Sequence, residues 1–399
     1  MNHPVVIVGA SMGGLRTAES LRRFGYDGPI TIIGEEVHKP YNRPPLSKDA
    51  LAQEVSHAAV AFEERAAISD VNWVLGTRAV SLDLDKSTVT DSSECTHQFS
   101  ALVIATGLRP KRLRYINGHL SGRFSLRTLD DAIALRERLK PGTKVVIVGG
   151  GFIGCEVAAT AIQLGCEVTV VHNAAHPMLR PLGAELAKEM QIRHEQKGVK
   201  FFLNRSVIEF VGETDIQEVI LDDGSKIPCD VLVEATGSQP NTEWLEMTDI
   251  NISDGVRVDN AMRAMTKSGQ VIQNVFAIGD VAAFVNPIFD NEPRRVEHWN
   301  IPTETAKRAA SVLAASITNS EKVEEILSAP FKPLPSFWSD QYDVHLLAFG
   351  SLALADRVTL VAGEAGGDCV FEYHRGEDLV GVCGIGMRNL IQSYRMKFN

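Results

Sequence analysis

The chain has 399 residues, 44% of them apolar and 23% charged, which indicates a globular protein of two or three domains. Its formal net charge of −10 argues against nucleic acid as the main partner, because phosphate binding requires a basic surface. No apolar run approaches the roughly 20 residues of a membrane span, and the first residues carry no signal-peptide pattern, so we expect a cytoplasmic protein.

A βαβ unit is predicted over residues 4–36, where a β-branched run passes through a glycine-rich turn into a helical stretch and a second β-branched run. The turn, GASMGG, follows the G-x-G-x-x-G fingerprint of dinucleotide-binding folds, with Ser11 in place of the second glycine. Glu35 follows the second strand, where a carboxylate accepts a hydrogen bond from a ribose 2′-hydroxyl. Taken alone, this motif also suits a glycine-rich turn in an unrelated α/β fold.

Prolines restrict the loop at residues 40–48, whose sequence is PYNRPPLSK. A rigid loop of this kind would hold Arg43 and Lys48 near phosphates or a flavin ring. The alternative is a solvent-exposed basic loop without a ligand.

A second βαβ unit is predicted over residues 144–173, and its turn, GGGFIG, matches the fingerprint in full. Glu156 lies one helical step inside, either near the ligand or as a first-turn acid that favours the helix dipole. His172 stands at the end of the second strand, where an acid would select NAD, and with Arg180 it would tolerate a 2′-phosphate. The alternative is that Asn173 or the backbone binds the ribose hydroxyl and that NADH is used.

Further strands end in polar turns. The segments ALVIATGLRPK (101–111) and VLVEATGSQPN (231–241) each run into Ala-Thr-Gly and then proline. A later strand, NVFAIGDVAAF, ends in Gly279-Asp280, whose carboxylate suits a ribityl chain, or else serves as a turn or helix cap. From about residue 325, alternating apolar runs predict a small antiparallel sheet.

The expected fold class is α/β, with two Rossmann-like dinucleotide-binding domains and a small C-terminal α+β domain that contains the antiparallel sheet. The first domain is expected at residues 1–108 and 246–322. The second is expected as an insertion at residues 109–245, and the third at residues 323–399.

Together these features resemble the FAD-dependent NAD(P)H:ferredoxin reductases of bacterial oxygenase systems, the putidaredoxin reductase and rhodocoxin reductase type, which are glutathione reductase-like in fold. The resemblance covers essentially the whole chain. Its more specific marks are PYNRPPLSK, ATGLRPKRL, SLRTLDDA, VFAIGDVA, RVEHWN and PSFWSDQY. It implies FAD in the first domain and NADH in the second, with NADPH open because His172 stands where the family carries an acid.

The resemblance also implies the site residues. Those expected to contact FAD are Gly9, Ser11, Gly13, Gly14, Glu35, Arg43, Lys48, Ala79, Ala105, Thr106, Gly107, Arg127, Gly279, Asp280, Glu297, His298, Trp299 and Trp338. Those expected at the nicotinamide coenzyme are Gly149, Gly151, Ile153, Gly154, Glu156, His172, Arg180, Thr236 and Gly237. Lys48, acting with Glu156, would be catalytic by stabilising the reduced, anionic flavin. For Trp299 and Trp338 the alternative is a role as core aromatics.

The six cysteines are scattered and form no C-x-x-C pair, no C-x-x-x-x-C pair and no zinc-like cluster. We therefore expect reduced structural thiols and no metal site. Without a cysteine relay, electrons would leave the flavin directly for an external carrier.

The implied activity is electron transfer from NAD(P)H through FAD to a [2Fe–2S] ferredoxin that supplies a monooxygenase or a ring-hydroxylating dioxygenase. Candidate docking charges are Arg294, Arg295 and the basic residues of the 109–114 segment. The alternatives are a rubredoxin reductase, an NADH oxidase of the same fold, and a flavoprotein resembling apoptosis-inducing factor. A monomer and a homodimer are both compatible with the sequence.

Overall fold

The computed structural model describes residues 3–114 and 119–398. The chain forms two compact units, each assembled from three stretches. The first unit contains the chain up to Asn42, Ala61–Leu108 and Pro240–Pro335. The second unit contains Arg43–Val60, Arg109–Gln239 and the chain from Ser336 onward.

Helices and strands are numbered in chain order. The helices are α1 (Met12–Arg23), α2 (Asp49–Ala52), α3 (His57–Val60), α4 (Leu129–Arg138), α5 (Phe152–Gln163), α6 (Leu179–Gln196), α7 (Ile301–Ile317), α8 (Val323–Ser328) and α9 (Arg388–Ser393). The strands are β1 (Val5–Val8), β2 (Ile30–Gly34), β3 (Asn72–Leu75), β4 (Ala79–Asp83), β5 (Thr88–Asp91), β6 (Thr96–Gln98), β7 (Ala101–Ile104), β8 (Leu108–Pro110), β9 (Arg123–Phe124), β10 (Lys144–Val148), β11 (Glu167–His172), β12 (Lys200–Leu203), β13 (Val207–Gly212), β14 (Ile216–Leu221), β15 (Lys226–Pro228), β16 (Val231–Glu234), β17 (Ser238–Pro240), β18 (Val256–Arg257), β19 (Arg263–Met265), β20 (Val271–Ala277), β21 (Ala282–Val285), β22 (Pro293–Arg295), β23 (Ser336–Gln341), β24 (Val344–Gly350), β25 (Arg357–Gly363), β26 (Cys369–Arg375) and β27 (Asp378–Ile385).

The first unit is built on a six-stranded sheet in the order β19-β20-β7-β1-β2-β3, parallel except for β19. Strand β1 is β-branched throughout and completely buried, as expected for a parallel strand covered on both faces. Helix α1 connects β1 to β2 and buries Leu15, Ala18 and Leu21 in the core. These elements form the first predicted βαβ unit.

The second unit repeats this arrangement in a five-stranded parallel sheet, β12-β11-β10-β16-β9. Helix α5 joins β10 to β11, and a run of small buried residues lets it lie close to the sheet: Ala158, Ala159 and Ala161. The C-terminal part of the second unit contains an antiparallel sheet, β23-β24-β27-β26-β25, which is followed by α9. The expectation of two Rossmann-like sheets and a C-terminal antiparallel sheet is confirmed.

Within residues 3–114 and 119–398, no helix combines the length and the apolar character that crossing a bilayer would require.

Candidate functional site

The first glycine loop, between β1 and α1, leaves no room for a side chain at two positions. A Cβ on Gly9 would lie 2.1 Å from the Ala105 carbonyl oxygen, and one on Gly14 would lie 2.1 Å from the Gly9 carbonyl oxygen. Gly9 also has a φ of +126°, a conformation that favours glycine. Ser11 has an extended backbone that any residue adopts, so a side chain at the second fingerprint position causes no backbone strain.

The second glycine loop, between β10 and α5, has the same geometry. A Cβ on Gly149 would lie 2.2 Å from the Ala235 carbonyl oxygen, and one on Gly154 would lie 2.1 Å from the Gly149 carbonyl oxygen. At Gly151 the backbone is extended, with a φ of −80°, and no protein atom lies within 4 Å of a Cβ built there. Gly151 therefore leaves open space at the start of a helix, where backbone N–H groups and the helix dipole bind phosphate. The loop fits a pyrophosphate.

The two Ala-Thr-Gly segments lie against these loops, which explains why they recur in the sequence. The amide of Ala105 donates to the last residue of β1 (2.7 Å), and the amide of Ala235 donates to the last residue of β10 (2.8 Å). Each segment thus follows the strand that neighbours the fingerprint strand. It supplies the carbonyl that excludes a side chain from the first glycine.

Polar groups of the first unit collect at the carboxyl edge of its parallel sheet. Glu35 is exposed directly after β2, and Asp280 follows β20 in a short turn. The turn is fixed by Gly279, which has a φ of +68° and donates its N–H to the Thr305 hydroxyl at 2.9 Å. Ligands of open α/β sheets bind at this edge, so both carboxylates lie where hydroxyls of a dinucleotide would be recognised.

The 297–299 segment of the first unit adds an exposed aromatic ring. The Trp299 side chain donates its indole N–H to the Asn42 side chain at 3.1 Å, and the residue is 41% exposed. Burial lowers the pKa of the adjacent His298 to about 4, so this imidazole is neutral at pH 7. Glu297 accepts a hydrogen bond from Arg295 at 2.8 Å.

In the second unit, Lys48 and Glu156 form a largely buried ion pair. The Lys48 Nζ lies 2.7 Å from the Glu156 Oε2, and the two side chains are 18% and 8% exposed. The Ser47 hydroxyl donates to the same oxygen at 2.5 Å, and the Ser339 hydroxyl donates to Oε1 at 2.6 Å. Glu156 lies beyond the first turn of α5, which contains no acid. Glu156 is therefore a buried carboxylate held by specific donors, and it is not a first-turn acid that favours the helix dipole.

His172 faces the second glycine loop from the end of β11. The Gly150 amide donates to the His172 Nδ1 at 3.1 Å, which leaves the ring proton on Nε2. A Cβ on Gly150 would lie 3.0 Å from the imidazole Cγ, so the ring packs directly on the loop. Burial lowers the pKa of His172, and the side chain is neutral at pH 7.

Arg43, Arg127 and Trp338 also belong to the second unit. The Arg43 guanidinium donates to the Arg127 carbonyl oxygen at 2.6 Å, and the Arg127 amide donates to the Asp131 carboxylate at 3.0 Å. Trp338 is 39% exposed on β23, on the face opposite Phe337.

The other expected residues occupy element ends. Gly13 lies in the first turn of α1, Ala79 begins β4, Thr106 and Gly107 follow β7, Ile153 is exposed in the first turn of α5, Arg180 is exposed at the start of α6, and Thr236 and Gly237 follow β16.

Four further residues of the second unit belong to this site but were not predicted from the sequence: Ser47, His194, Ser339 and Gln341. All four are buried, and Ser47 and Ser339 bond directly to Glu156. A signal was present in the strand SFWSDQ, because Ser339 and Gln341 share the parity of the apolar Phe337. Buried polar groups at core-facing positions require partners inside the protein.

Two of the basic residues expected to dock a partner are paired with carboxylates of the first unit. Arg294 bonds to Asp290 at 2.5 Å, and Arg295 bonds to both Asp254 and Glu297 at 2.8 Å. Basic side chains instead surround a cavity of about 340 Å³ on the first unit. Its lining includes Arg16, Glu19, Arg23, Arg65, Trp299, Glu304 and Lys307.

The six thiols are unpaired, and only Cys95 is exposed. Burial raises the pKa of Cys155, which precedes Glu156, so this thiol stays protonated and unreactive. Within the described chain, no group of three or more His, Cys, Asp or Glu side chains is arranged to hold a metal ion.

Residues 3–306 match the family described as pyridine nucleotide-disulphide oxidoreductase. The chain is 34% identical over 375 residues to the anthranilate 1,2-dioxygenase system ferredoxin–NAD(+) reductase component of Burkholderia cepacia, covering 90% of this chain and 85% of that relative. It is 32% identical over 359 residues to the rubredoxin–NAD(+) reductase of Pseudomonas putida, covering 89% of each. It is also similar to a chain of the covalent putidaredoxin reductase–putidaredoxin complex, with a TM-score of 0.90, 27% identity and coverage of 100% of this chain and 93% of that chain.

Proposed function

This chain belongs to the pyridine nucleotide-disulphide oxidoreductase family, and from that premise we propose that it transfers electrons from NADH through FAD to a [2Fe–2S] ferredoxin. The ferredoxin in turn supplies a monooxygenase or a ring-hydroxylating dioxygenase. The observation that carries the proposal is the repeated glycine loop, one in each unit, because electron transfer between two dinucleotides requires a binding fold for each.

FAD is assigned to residues 1–108 and 246–322. The first glycine loop would hold its pyrophosphate, Glu35 its adenosine ribose and Asp280 its ribityl chain. The residues that complete the FAD contacts are Ala79, Ala105, Thr106, Gly107, Arg43, Lys48, Arg127, Glu297, His298, Trp299 and Trp338. When bound, FAD accepts a hydride from a nicotinamide and releases electrons singly.

NADH is assigned to residues 109–245. Its pyrophosphate occupies the open space at Gly151, held by the amides at the start of α5. The neutral His172 offers its Nε2–H to a ribose hydroxyl and no positive charge to a 2′-phosphate, which favours NADH over NADPH. Ile153 and the Thr236-Gly237 segment line the same loop.

Lys48 and Glu156 are assigned as the catalytic pair. Lys48 supplies a positive charge that favours the reduced form of the cofactor, and Glu156 holds the ammonium group through its 2.7 Å ion pair. The third domain, residues 323–399, contributes Ser339 to this pair.

Electrons leave for the partner without a thiol relay. Cys155 is fully buried and protonated, so it cannot act as a thiolate intermediate. The cavity on the first unit is assigned as the ferredoxin-docking surface. Arg23 and Lys307 line this cavity, and no carboxylate within the described residues pairs with either of them. Trp299 also lines the cavity. Ferredoxins are commonly acidic, so charge complementarity would guide association.

A rubredoxin reductase is the second candidate, because the Pseudomonas putida relative with that name matches 89% of the chain. The same NADH and FAD sites would serve either acceptor. In both cases the proposed location is the cytoplasm, where NADH is available.

The test compares three acceptors with the purified, FAD-loaded protein under NADH: a [2Fe–2S] dioxygenase ferredoxin, a rubredoxin and oxygen. We expect the ferredoxin to be reduced fastest. Faster reduction of rubredoxin would favour the second candidate, and rapid oxygen consumption without ferredoxin reduction would exclude the proposed function.

A further inference from the structure

A chain of buried side chains leads away from Glu156 through the second unit. Its members belong to three elements, α5, α6 and β23, and to the turn that follows β23. They are Glu156, Ser339, Gln341, His194 and Tyr342. The first four are at most 6% exposed.

The hydrogen bonds of this chain run in one direction. The Gln341 amide nitrogen donates to the Ser339 hydroxyl at 2.9 Å, so Ser339 directs its own proton to Glu156 Oε1 at 2.6 Å. The Gln341 amide oxygen accepts from His194 Nε2 at 2.7 Å, which places the imidazole proton on that nitrogen. The remaining lone pair on Nδ1 faces the Tyr342 hydroxyl at 3.3 Å.

All the hydrogen bonds of this chain donate towards Glu156, so the last acceptor must be an ionised carboxylate. Three groups donate to Glu156, namely Ser47, Lys48 and Ser339. A protonated carboxyl would itself require an acceptor, and these three neighbours already direct their protons at it. A buried carboxylate is stable only when paired and hydrogen-bonded, and the chain meets that condition.

The strand β23 builds this arrangement through its alternation. Phe337, Ser339 and Gln341 lie on one face of the strand. Phe337 and Ser339 contact α5, where the Phe337 ring packs against Phe152 with centroids 5.0 Å apart, and Gln341 contacts His194 of α6. Trp338 and Asp340 point to the other side, where Asp340 pairs with the exposed His345 at 2.9 Å.

We propose that Ser339, Gln341 and His194 are positioning residues that hold Glu156 as an oriented anion for Lys48. The proposal rests on the proposed function, in which Lys48 favours reduction of the cofactor. None of the three residues is assigned a contact with a dinucleotide. They act through the Glu156 carboxylate.

Several titratable groups surround the chain. They are Lys48, Cys155 and Glu156 on or near α5, His194 on α6, Lys197 directly after α6, and Tyr342. Burial lowers the pKa of His194 and raises the pKa of Tyr342 and Cys155, so these three stay neutral near pH 7. We therefore expect none of these three side chains to titrate between pH 7 and 9.

The experiment measures the rate of FAD reduction by NADH in anaerobic stopped-flow mixing, using FAD-loaded protein between pH 6 and 9. Ser339→Ala removes the donor to Glu156 and should slow reduction by up to about 100-fold, the scale of a misplaced group. Ser339→Thr keeps the hydroxyl and should restore the wild-type rate.

Gln341→Glu is a nearly isosteric substitution. The pH dependence of its FAD reduction rate would distinguish a positioning role of Gln341 from a merely structural one. The introduced carboxyl donates to Ser339 only when protonated, so the rate should fall as pH rises through its titration. Burial and the neighbouring Glu156 carboxylate should both raise the pKa of that carboxyl, and the pH series is designed to follow its titration. Asp340→Asn, on the opposite face of the same strand, is the matched control and should keep the wild-type rate and profile.

The inference is overturned if FAD-loaded Ser339→Ala and Gln341→Glu retain the wild-type rate and pH profile. If Ser339→Ala does not fold, the pH profile of Gln341→Glu decides alone. A wild-type protein whose FAD is not reduced by NADH would instead contradict the proposed function.

Discussion

His172 places a neutral ring at the end of β11, where dinucleotide-binding folds commonly carry a carboxylate. The sequence identified the position and its bearing on the coenzyme, but it left open whether the ring carries charge. The answer comes from two local contacts. The Gly150 amide donates a hydrogen bond to Nδ1, and the packing of the surrounding protein on the ring buries it and lowers the pKa of the imidazole. Neither contact follows from the residue type.

Replacing His172 should change the coenzyme preference in opposite directions. His172→Glu supplies an acceptor for the ribose hydroxyl and should raise the preference for NADH about tenfold, the scale of one charge-assisted hydrogen bond. His172→Arg should shift it towards NADPH by a similar factor. The measurement is the ratio of kcat/KM for the two coenzymes, and an unchanged ratio in both variants would remove His172 from the site.

The same ratio should depend on pH in the wild-type protein. The pKa of His172 is lowered, so the ring becomes cationic only below the usual histidine pKa of about 6.5. Use of NADPH relative to NADH should therefore stay constant above that pH and rise below it. A rise on going to alkaline pH would contradict a neutral His172.

Lys48 should be required for cofactor reduction as well as for stability, because its removal leaves the buried Glu156 without its cation. The rates are therefore compared on folded, FAD-loaded protein. Lys48→Met removes the charge and should slow FAD reduction by NADH on the order of 10²-fold, the scale of one preorganised electrostatic contact. Lys39→Met, which removes a lysine paired with Glu64 at 2.7 Å, is the control. Equal rates in the two variants would show that Lys48 has no special role.

At the scale of elements, periodicity and glycine spacing predicted both βαβ units and the antiparallel C-terminal sheet. These patterns are local, so one sequence reveals them. The contacts between distant segments could not be read in this way. The approach of Gly9 to Ala105 joins the residues that directly follow two different strands, β1 and β7. The hydrogen bond of Ser339 to Glu156 joins a strand to a helix.

Two glycines of the second loop should respond differently to the same substitution. At Gly151 a methyl group meets no protein atom within 4 Å, so Gly151→Ala should fold normally but raise the KM for NADH about tenfold or more by filling the pyrophosphate space. At Gly154 the methyl group would lie 2.1 Å from a carbonyl oxygen, so Gly154→Ala should lower stability by about 1–3 kcal/mol. Thermal unfolding and NADH kinetics separate the two effects, and a Gly151→Ala variant with unchanged KM would exclude coenzyme from that space.

At the scale of the molecule, the sequence shows which residues are basic but not which of them are paired with a carboxylate. Arg294 and Arg295 are basic in sequence but are neutralised by Asp290, Asp254 and Glu297. At the cavity of the first unit, no carboxylate of the described residues pairs with Arg23 or Lys307. These two residues come from separate helices, α1 and α7, which pack together only in the folded unit.

Reversing the charge at the cavity should lower kcat/KM for ferredoxin without changing the rate of FAD reduction by NADH. Arg23→Glu with Lys307→Glu should lower kcat/KM for ferredoxin about tenfold or more at low salt, with a smaller effect at high salt because screening weakens exposed charges. Lys86→Glu, which replaces an exposed lysine paired with Asp83, is the control. If the control reduces the rate equally, overall charge rather than this surface governs association.

The central claim is that electrons pass from NADH through bound FAD to a one-electron iron–sulfur carrier. The most direct test mixes FAD-loaded protein with limiting NADH and excess oxidised [2Fe–2S] ferredoxin without oxygen, and follows flavin and iron–sulfur absorbance together. The account predicts that the flavin is bleached first and recovers as the ferredoxin is reduced, with two ferredoxins reduced for each NADH consumed. Flavin that stays reduced while the ferredoxin stays oxidised would contradict it.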